Sequence, residues 1–269
     1  MTTRATRRSG AAISYPIVAV PTSLITRTVR SESHAAAATA GARLQYNGGP
    51  LIQNVRLHAL YWGTIWSSDA AQGVIASRLN GFMSTFVSGP DIDRIAEYSV
   101  AGYTIGRGTF VGPGLIVNSD PPNSVNDAQI QIALQEWIGT FGLVVTPDSL
   151  FMVFTPPGVE VVASWGGRSC GNSSGDFSGY HADIDGRIYY GVIPQCVSTQ
   201  ETTALNATDT LRIVVSHEIC EAITDPVFTK GWFDKDLDEV GDPCQWMHAT
   251  GSDGGVIQGL WSNAHGACA

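Results

Sequence analysis

Charge is scarce in this sequence: 14% of its 269 residues are charged, and 15 Lys plus Arg stand against 24 Asp plus Glu, giving 15 − 24 = −9. So few cations exclude a nucleic-acid partner held by phosphate neutralisation, and they disfavour an anionic membrane surface. No stretch approaches the roughly eighteen apolar residues of a bilayer span, so no membrane span is expected. Internal repeats are lacking, as is a Pro/Ser/Gly linker in mid-chain, which argues for one domain rather than two. There is no C-x-x-C pair among the five cysteines, so a structural zinc knuckle is not indicated.

What is present is unevenly placed. Residues 1–50 carry six Arg and one acid, Glu32, whereas from Glu201 onward there are eleven acids against Arg212, Lys230 and Lys235. Such an acidic end in a low-charge chain suggests cation binding, the alternative being a solvated acidic surface. At the other end the order basic (Arg4, Arg7, Arg8), apolar (11–21) and small (33–42) resembles an export signal; a tail or pro-segment is the alternative. The five cysteines all fall in the C-terminal 100 residues. Export would oxidise them, with Cys170–Cys196 and Cys244–Cys268 as the expected pairs and Cys220, inside a helical pattern, left as the odd thiol.

Periodicity supplies a coarse architecture. Val55, Leu57, Ala59 and Tyr61 alternate as a strand ending at Trp62-Gly63. A helix capped at Ser67 or Ser68 follows, with Val74, Ile75, Leu79, Phe82, Met83 and Phe86 on one face. Glycines and the Pro121-Pro122 pair predict short strands and turns over 99–125. A second helix is predicted from near Asn126, with Ile130, Leu134, Trp137, Ile138 and Phe141 at helical spacing. Runs at 150–155, 159–164 and 188–193 predict core strands. A third helix runs from about Thr208 to Ile223 and stops at Asp225-Pro226. The order reads as mixed α/β rather than a regular doubly wound alternation.

The third helix carries the chemistry. Its segment LRIVVSHEICEAITD contains His217-Glu218 and Glu221 as H-E-x-x-E. Positions i and i+4 lie about 40° apart around a helix, so His217 and Glu221 can share one cation. This is the zincin device with a carboxylate as second ligand, acceptable to zinc and less selective against manganese or calcium. Glu218 then serves as general base toward a metal-bound water. Downstream, Asp234, Asp236, Asp238, Glu239 and Asp242 make five acids in nine residues. Glu239 is the favoured third ligand and Asp242 its rival, since Gly241-Asp242-Pro243 reads as a tight turn whose Asp bonds backbone N–H groups. The D-x-D-x-D string also admits calcium, but not as an EF-hand, which needs Gly where Glu239 stands and Glu where Gln245 stands.

With these residues assembled, the chain resembles the EXORDIUM-like (phosphate-induced protein) family. The likeness begins in LQYNGGPLIQNVRLHALYWG (44–63). It continues through 150–170, Tyr180-His181, 188–196, His217-Glu218, Glu221-Ala222 and Asp225-Pro226, then Trp232, Glu239, Gly241-Asp242, Cys244 and 258–268. Cys220 replaces the family's usual small residue, and a Gly/Ser-rich insertion (171–179) precedes Tyr180-His181. The resemblance implies an exported or cell-wall-associated protein without a settled reaction, and it makes His181 a candidate site residue.

The combined expectation is an α/β (α+β) fold: an N-terminal tail, 1–43, and a single zincin-like domain, 44–269, with a mixed β-sheet, a metal-binding helix and long loops. The expected function is a secreted, monomeric zinc hydrolase acting on a peptide or a cell-wall polymer. His217, Glu221 and either Glu239 or Asp242 would hold Zn2+ (Ca2+ being the alternative at the acidic loop), Glu218 would be the base, and His181 would stabilise an oxyanion or complete the metal shell. The competing expectation is a non-catalytic extracellular binding protein with a structural ion.

Overall fold

In a computed structural model, residues 44–171, 176–196 and 207–269 are described. The basic segment 1–43, with its export-signal expectation, lies outside the described residues, as do residues 172–175 of the Gly/Ser-rich insertion. The architecture is mixed α/β. Six strands form the main sheet: β1 (Asn54–Trp62), β2 (Gly106–Phe110), β3 (Leu115–Val117), β4 (Ser149–Thr155), β5 (Tyr180–Ile184) and β6 (Ile188–Pro194). Their spatial order is β2–β1–β4–β6–β5, with β3 also paired to β1 beyond β2. All neighbours are parallel except the β5–β6 hairpin.

Three long helices complete the layers: α1 (Ala70–Ser88), α2 (Asp127–Phe141) and α3 (Ala207–Thr224). Side chains alternate across a strand, so each strand feeds two cores. Leu57, Ala59 and Tyr61 of β1, with Leu150, Met152 and Phe154 of β4, pack with α1 and α3. Leu60, Trp62, Phe151 and Val153 pack with Ile130, Leu134 and Trp137 of α2 on the other face. A parallel sheet covered on both sides buries both faces of its strands, which is why 150–155 reads as an uninterrupted apolar run.

Several local expectations shift. The cap of α1 is Asp69, whose side chain accepts from Gln72 N at 2.9 Å, because Ser67 and Ser68 belong to a preceding helical turn, Ile65–Ser68. Val74 (50% exposed) and Phe141 (41%) lie off the buried faces. The run at 159–164 holds a core strand as read, with Val161 fully buried, and Glu160–Val162 pairs with Ser124–Asn126 in a two-stranded sheet separate from the main one. The α2 start is as read, with Asn126 and Gln129 forming a reciprocal capping box. The parallel β1–β4–β6 centre with helices on both faces is also more regular than the sequence suggested. Its connections, not its layers, are irregular.

Both expected disulfides are present, Cys170–Cys196 and Cys244–Cys268, and Cys220 is free and buried. The second ties the C-terminal strand Ala267–Cys268 to the short 3-10 turn Asp242–Cys244 that follows the acidic segment. That staple fixes the loop opposite α3. No helix among the described residues is long and apolar enough to cross a membrane.

Candidate metal centre

Helix α3 is buried nearly all round: Leu211, Val215, Ile219, Cys220 and Ile223 enter the core, yet Glu218 and Glu221 are each only 4% exposed. An all-round buried helix carrying two carboxylates needs partners for them. His217 supplies one, its Nε2 lying 3.0 Å from Glu221 Oε2 one helical turn away. The turn after the acidic segment supplies another, Gly241 N donating to Glu221 Oε1 at 3.2 Å.

Strand β5 brings His181 to the same place. His181 pairs across the hairpin with Gly191, against which the Met152 side chain packs so closely that a Cβ there would stand 2.7 Å from its sulfur. Its ring is almost closed off (4% exposed), with Nδ1 3.4 Å from Glu218 Oε2 and 3.9 Å from Glu221 Oε2. On the other edge, Nε2 lies 3.2 Å from the Asp225 carbonyl oxygen and 3.3 Å from Glu239 Oε1. Both ring nitrogens thus face oxygen acceptors, which requires a proton or a cation on each side.

Among the described residues two sets of donor atoms converge. His217, Glu221 and Asp242 form one, His181, Glu221 and Glu239 the other, each with its atoms within 4.8 Å of one another. Asp242 groups with His217, and Glu239 with His181. Asp242 also accepts from Glu239 N at 2.9 Å, the backbone bond anticipated for the tight turn. Asp234, Asp236 and Asp238 belong to neither set. Asp234 is instead turned inward onto its own loop, accepting from Asp236 N (2.8 Å) and Asp238 N (2.9 Å), so the D-x-D-x-D string folds as a turn.

Glycines set the clearances. A Cβ on Gly241 would lie 2.5 Å from His217 Nδ1, and one on Gly179 would lie 2.9 Å from Glu218 Oε1. Backbone therefore packs directly against His217 and Glu218. Asp225 closes the end of α3: its carboxylate accepts from Thr229, Lys230 and Gly231 N–H at 2.8, 3.0 and 2.5 Å. It is committed to the backbone and is not a free ligand.

The electrostatics suit a site that takes positive charge. Burial pushes Glu239 well above the ordinary carboxylate range, only partly opposed by His181, and burial with Asp242 nearby raises Glu221. Burial pulls the His217 imidazole down, but Glu221 outweighs it and raises the ring to about 10. For His181 the same burial is overcome by Glu239 and Glu218, to a value well above usual. One buried carboxylate oxygen, Glu239 Oε1, has no hydrogen-bond partner; the His181 approach at 3.3 Å is an ion-pair contact without hydrogen-bond geometry. Such an oxygen is costly unless a cation meets it. Imidazole with carboxylate suits zinc or manganese better than calcium, which prefers an all-oxygen shell.

Access is narrow. The side chains of His181, Glu218, Glu221 and Glu239 are 4–6% exposed and that of His217 is 17% exposed, so solvent reaches the cluster past His217. Two surface hollows, one beside Arg212 and Asp253 and one beside Tyr46 and Trp232, contain none of these residues.

Sequence reasoning alone could not single out His181, one of six histidines, without the family resemblance; the available signal was its place in a strand beside the glycine-bearing strand 188–194. The roles of Gly179, Gly241 and the Asp225 carbonyl were not anticipated, because close approach leaves no compositional mark. Comparison with known proteins returns no matching family model, no matching curated protein and no matching solved structure.

Proposed function

We propose that the chain is a divalent-cation-dependent hydrolase, zinc being the ion best suited to its donors. His217, Glu221 and Asp242 hold the ion, and the observation that carries this reading is the convergence of those three side chains within 4.8 Å on one side of α3. When bound, the ion supplies Lewis-acid polarisation of water and of a carbonyl. Glu218, next to His217 on the helix, accepts the proton of the attacking water, and His181 Nδ1, 3.4 Å from Glu218 Oε2, positions that carboxylate. Peptide or amide bonds are the default substrate by analogy of the H-E helix. The resemblance to EXORDIUM-like proteins and the two disulfides favour an exported protein.

The test is paired. Zinc-loaded protein and a Glu218→Gln variant are compared for metal content and for cleavage of a broad peptide library. The variant is expected to keep its zinc and lose cleavage by at least 100-fold, the scale of a lost general base. Equal cleavage by both would remove Glu218 from the mechanism.

A second reading is favoured by the burial of four of the cluster's side chains to 6% exposure or less: a structural ion in a non-catalytic protein. In that case chelation lowers the melting temperature and no substrate in the library is turned over.

A further inference from the structure

We propose, building on the cation-binding reading above, that the cluster holds two divalent cations which share the Glu221 carboxylate. One sits among His217, Glu221 and Asp242, the other among His181, Glu221 and Glu239.

Glu221 is the only residue common to the two convergent donor sets. Its oxygens are differently engaged: Oε2 faces His217 Nε2 at 3.0 Å, while Oε1 accepts from Gly241 N. A carboxylate common to two donor sets is the arrangement of a bridging ligand, and paired ions in such sites lie about 3.5–4 Å apart.

Glu239 provides the independent observation. Its Oε1 is buried and lacks a hydrogen-bond partner. A single ion in the His217 set does not reach it by any donor it shares, because Glu239 belongs only to the His181 set. The 3.3 Å separation of Glu239 Oε1 and His181 Nε2 is poor for a hydrogen bond here. It is the separation of two ligands on one ion, about 3.3 Å for bonds of about 2.0 Å at a tetrahedral angle.

The second shell agrees. With Nε2 turned to a cation, the His181 proton sits on Nδ1, where Glu218 Oε2 accepts at 3.4 Å. Carboxylate–histidine–metal relays of this kind fix the tautomer of a ligating ring. The Asp225 carbonyl oxygen, 3.2 Å from the same Nε2, adds a further oxygen on that side. Charge points the same way: the carboxylates Glu218, Glu221, Glu239 and Asp242 sum to −4 when ionised, so one divalent ion leaves −4 + 2 = −2 and two bring the cluster to −4 + 4 = 0.

The experiment uses the full chain, stripped with chelator, reloaded with zinc, passed through gel filtration and measured for zinc per chain. Two zinc ions are expected in the wild type, and one each in Glu239→Gln and Asp242→Asn, with circular dichroism confirming that the variants fold. A wild-type stoichiometry of one overturns the two-ion proposal without any variant. If that single ion survives Glu239→Gln and is lost in Asp242→Asn, the cation-binding reading stands alone. A stoichiometry of zero overturns both. Manganese loading adds a second readout: a spin-coupled pair in the resonance spectrum is expected, and an isolated-ion spectrum at full loading overturns the shared carboxylate.

Discussion

Gly241 lies against the ring of His217 so closely that a Cβ at that position would stand 2.5 Å from Nδ1 and 2.8 Å from Cε1. The loop backbone, not a side chain, therefore sets the ring's position, and the same residue's N–H holds the carboxylate that faces it. Loop and helix are coupled at one point.

That coupling predicts the effect of the smallest substitution. Gly241→Ala should push the His217 ring away from Glu221 and weaken zinc binding about 10–100-fold, the usual cost of disturbing the support of a ligand. The far-UV spectrum should be unchanged. Isothermal titration with zinc measures it, and wild-type affinity in the variant would show that the ring has room to move.

The metal-free protein should become less stable as pH rises from about 6 to 9. The folded state holds protons that the unfolded chain releases, since His217 is raised to about 10 and His181, Glu221 and Glu239 are all raised. For a raised histidine the stabilisation is complete below the unfolded value near 6.5 and is lost as pH climbs through the folded value; a raised buried carboxylate gives a slope of the same sign above its own ordinary value. Zinc should abolish or reverse the trend. Melting curves with and without zinc across this range decide it, and a metal-free melting temperature that climbs with pH would contradict the burial of these groups.

One thiol of five should react. Under denaturing, non-reducing conditions alkylation should label Cys220 alone, and under native conditions none, because the thiol is buried and burial pushes it up to about 12. Mass spectrometry of protein from its native compartment counts the labels. Five labels would mean that neither staple forms there.

The opposite face of the sheet has its own buried carboxylate. Asp127 Oδ1 accepts from the hydroxyls of Tyr180 (2.6 Å) and Tyr190 (2.7 Å), and Oδ2 accepts from Gln131 Nε2 (2.9 Å). Asp127→Ala removes the acceptor of two core phenol O–H groups, although Tyr190 still accepts from Gln131 Nε2, and should cost about 2–6 kcal/mol, at roughly 1–3 for each unsatisfied donor. Asp127→Asn, which keeps an acceptor, should cost less. Urea denaturation orders the variants, and an alanine variant within 0.5 kcal/mol of wild type, on the order of the noise of such measurements, would mean that water satisfies the phenols.

The sequence by itself determined the elements and the covalent frame. Alternation set β1, helical spacing and the Asn126 cap set α2, Asp225-Pro226 ended α3, and oxidative pairing of four cysteines left Cys220 over. The pairing of His217 with Glu221 was equally legible, because i and i+4 on one helix are neighbours whatever surrounds them. Tertiary structure decided the rest. Whether Glu239 or Asp242 meets His217 depends on how a loop lands on a helix, and spacing along the chain carries no information about that. His181 reaches the site only because β5 folds back on β6 in a register that points it at α3. The strand at 159–164 was legible as a core strand, but its partner was not: an apolar β-branched run reports burial, not which sheet provides it.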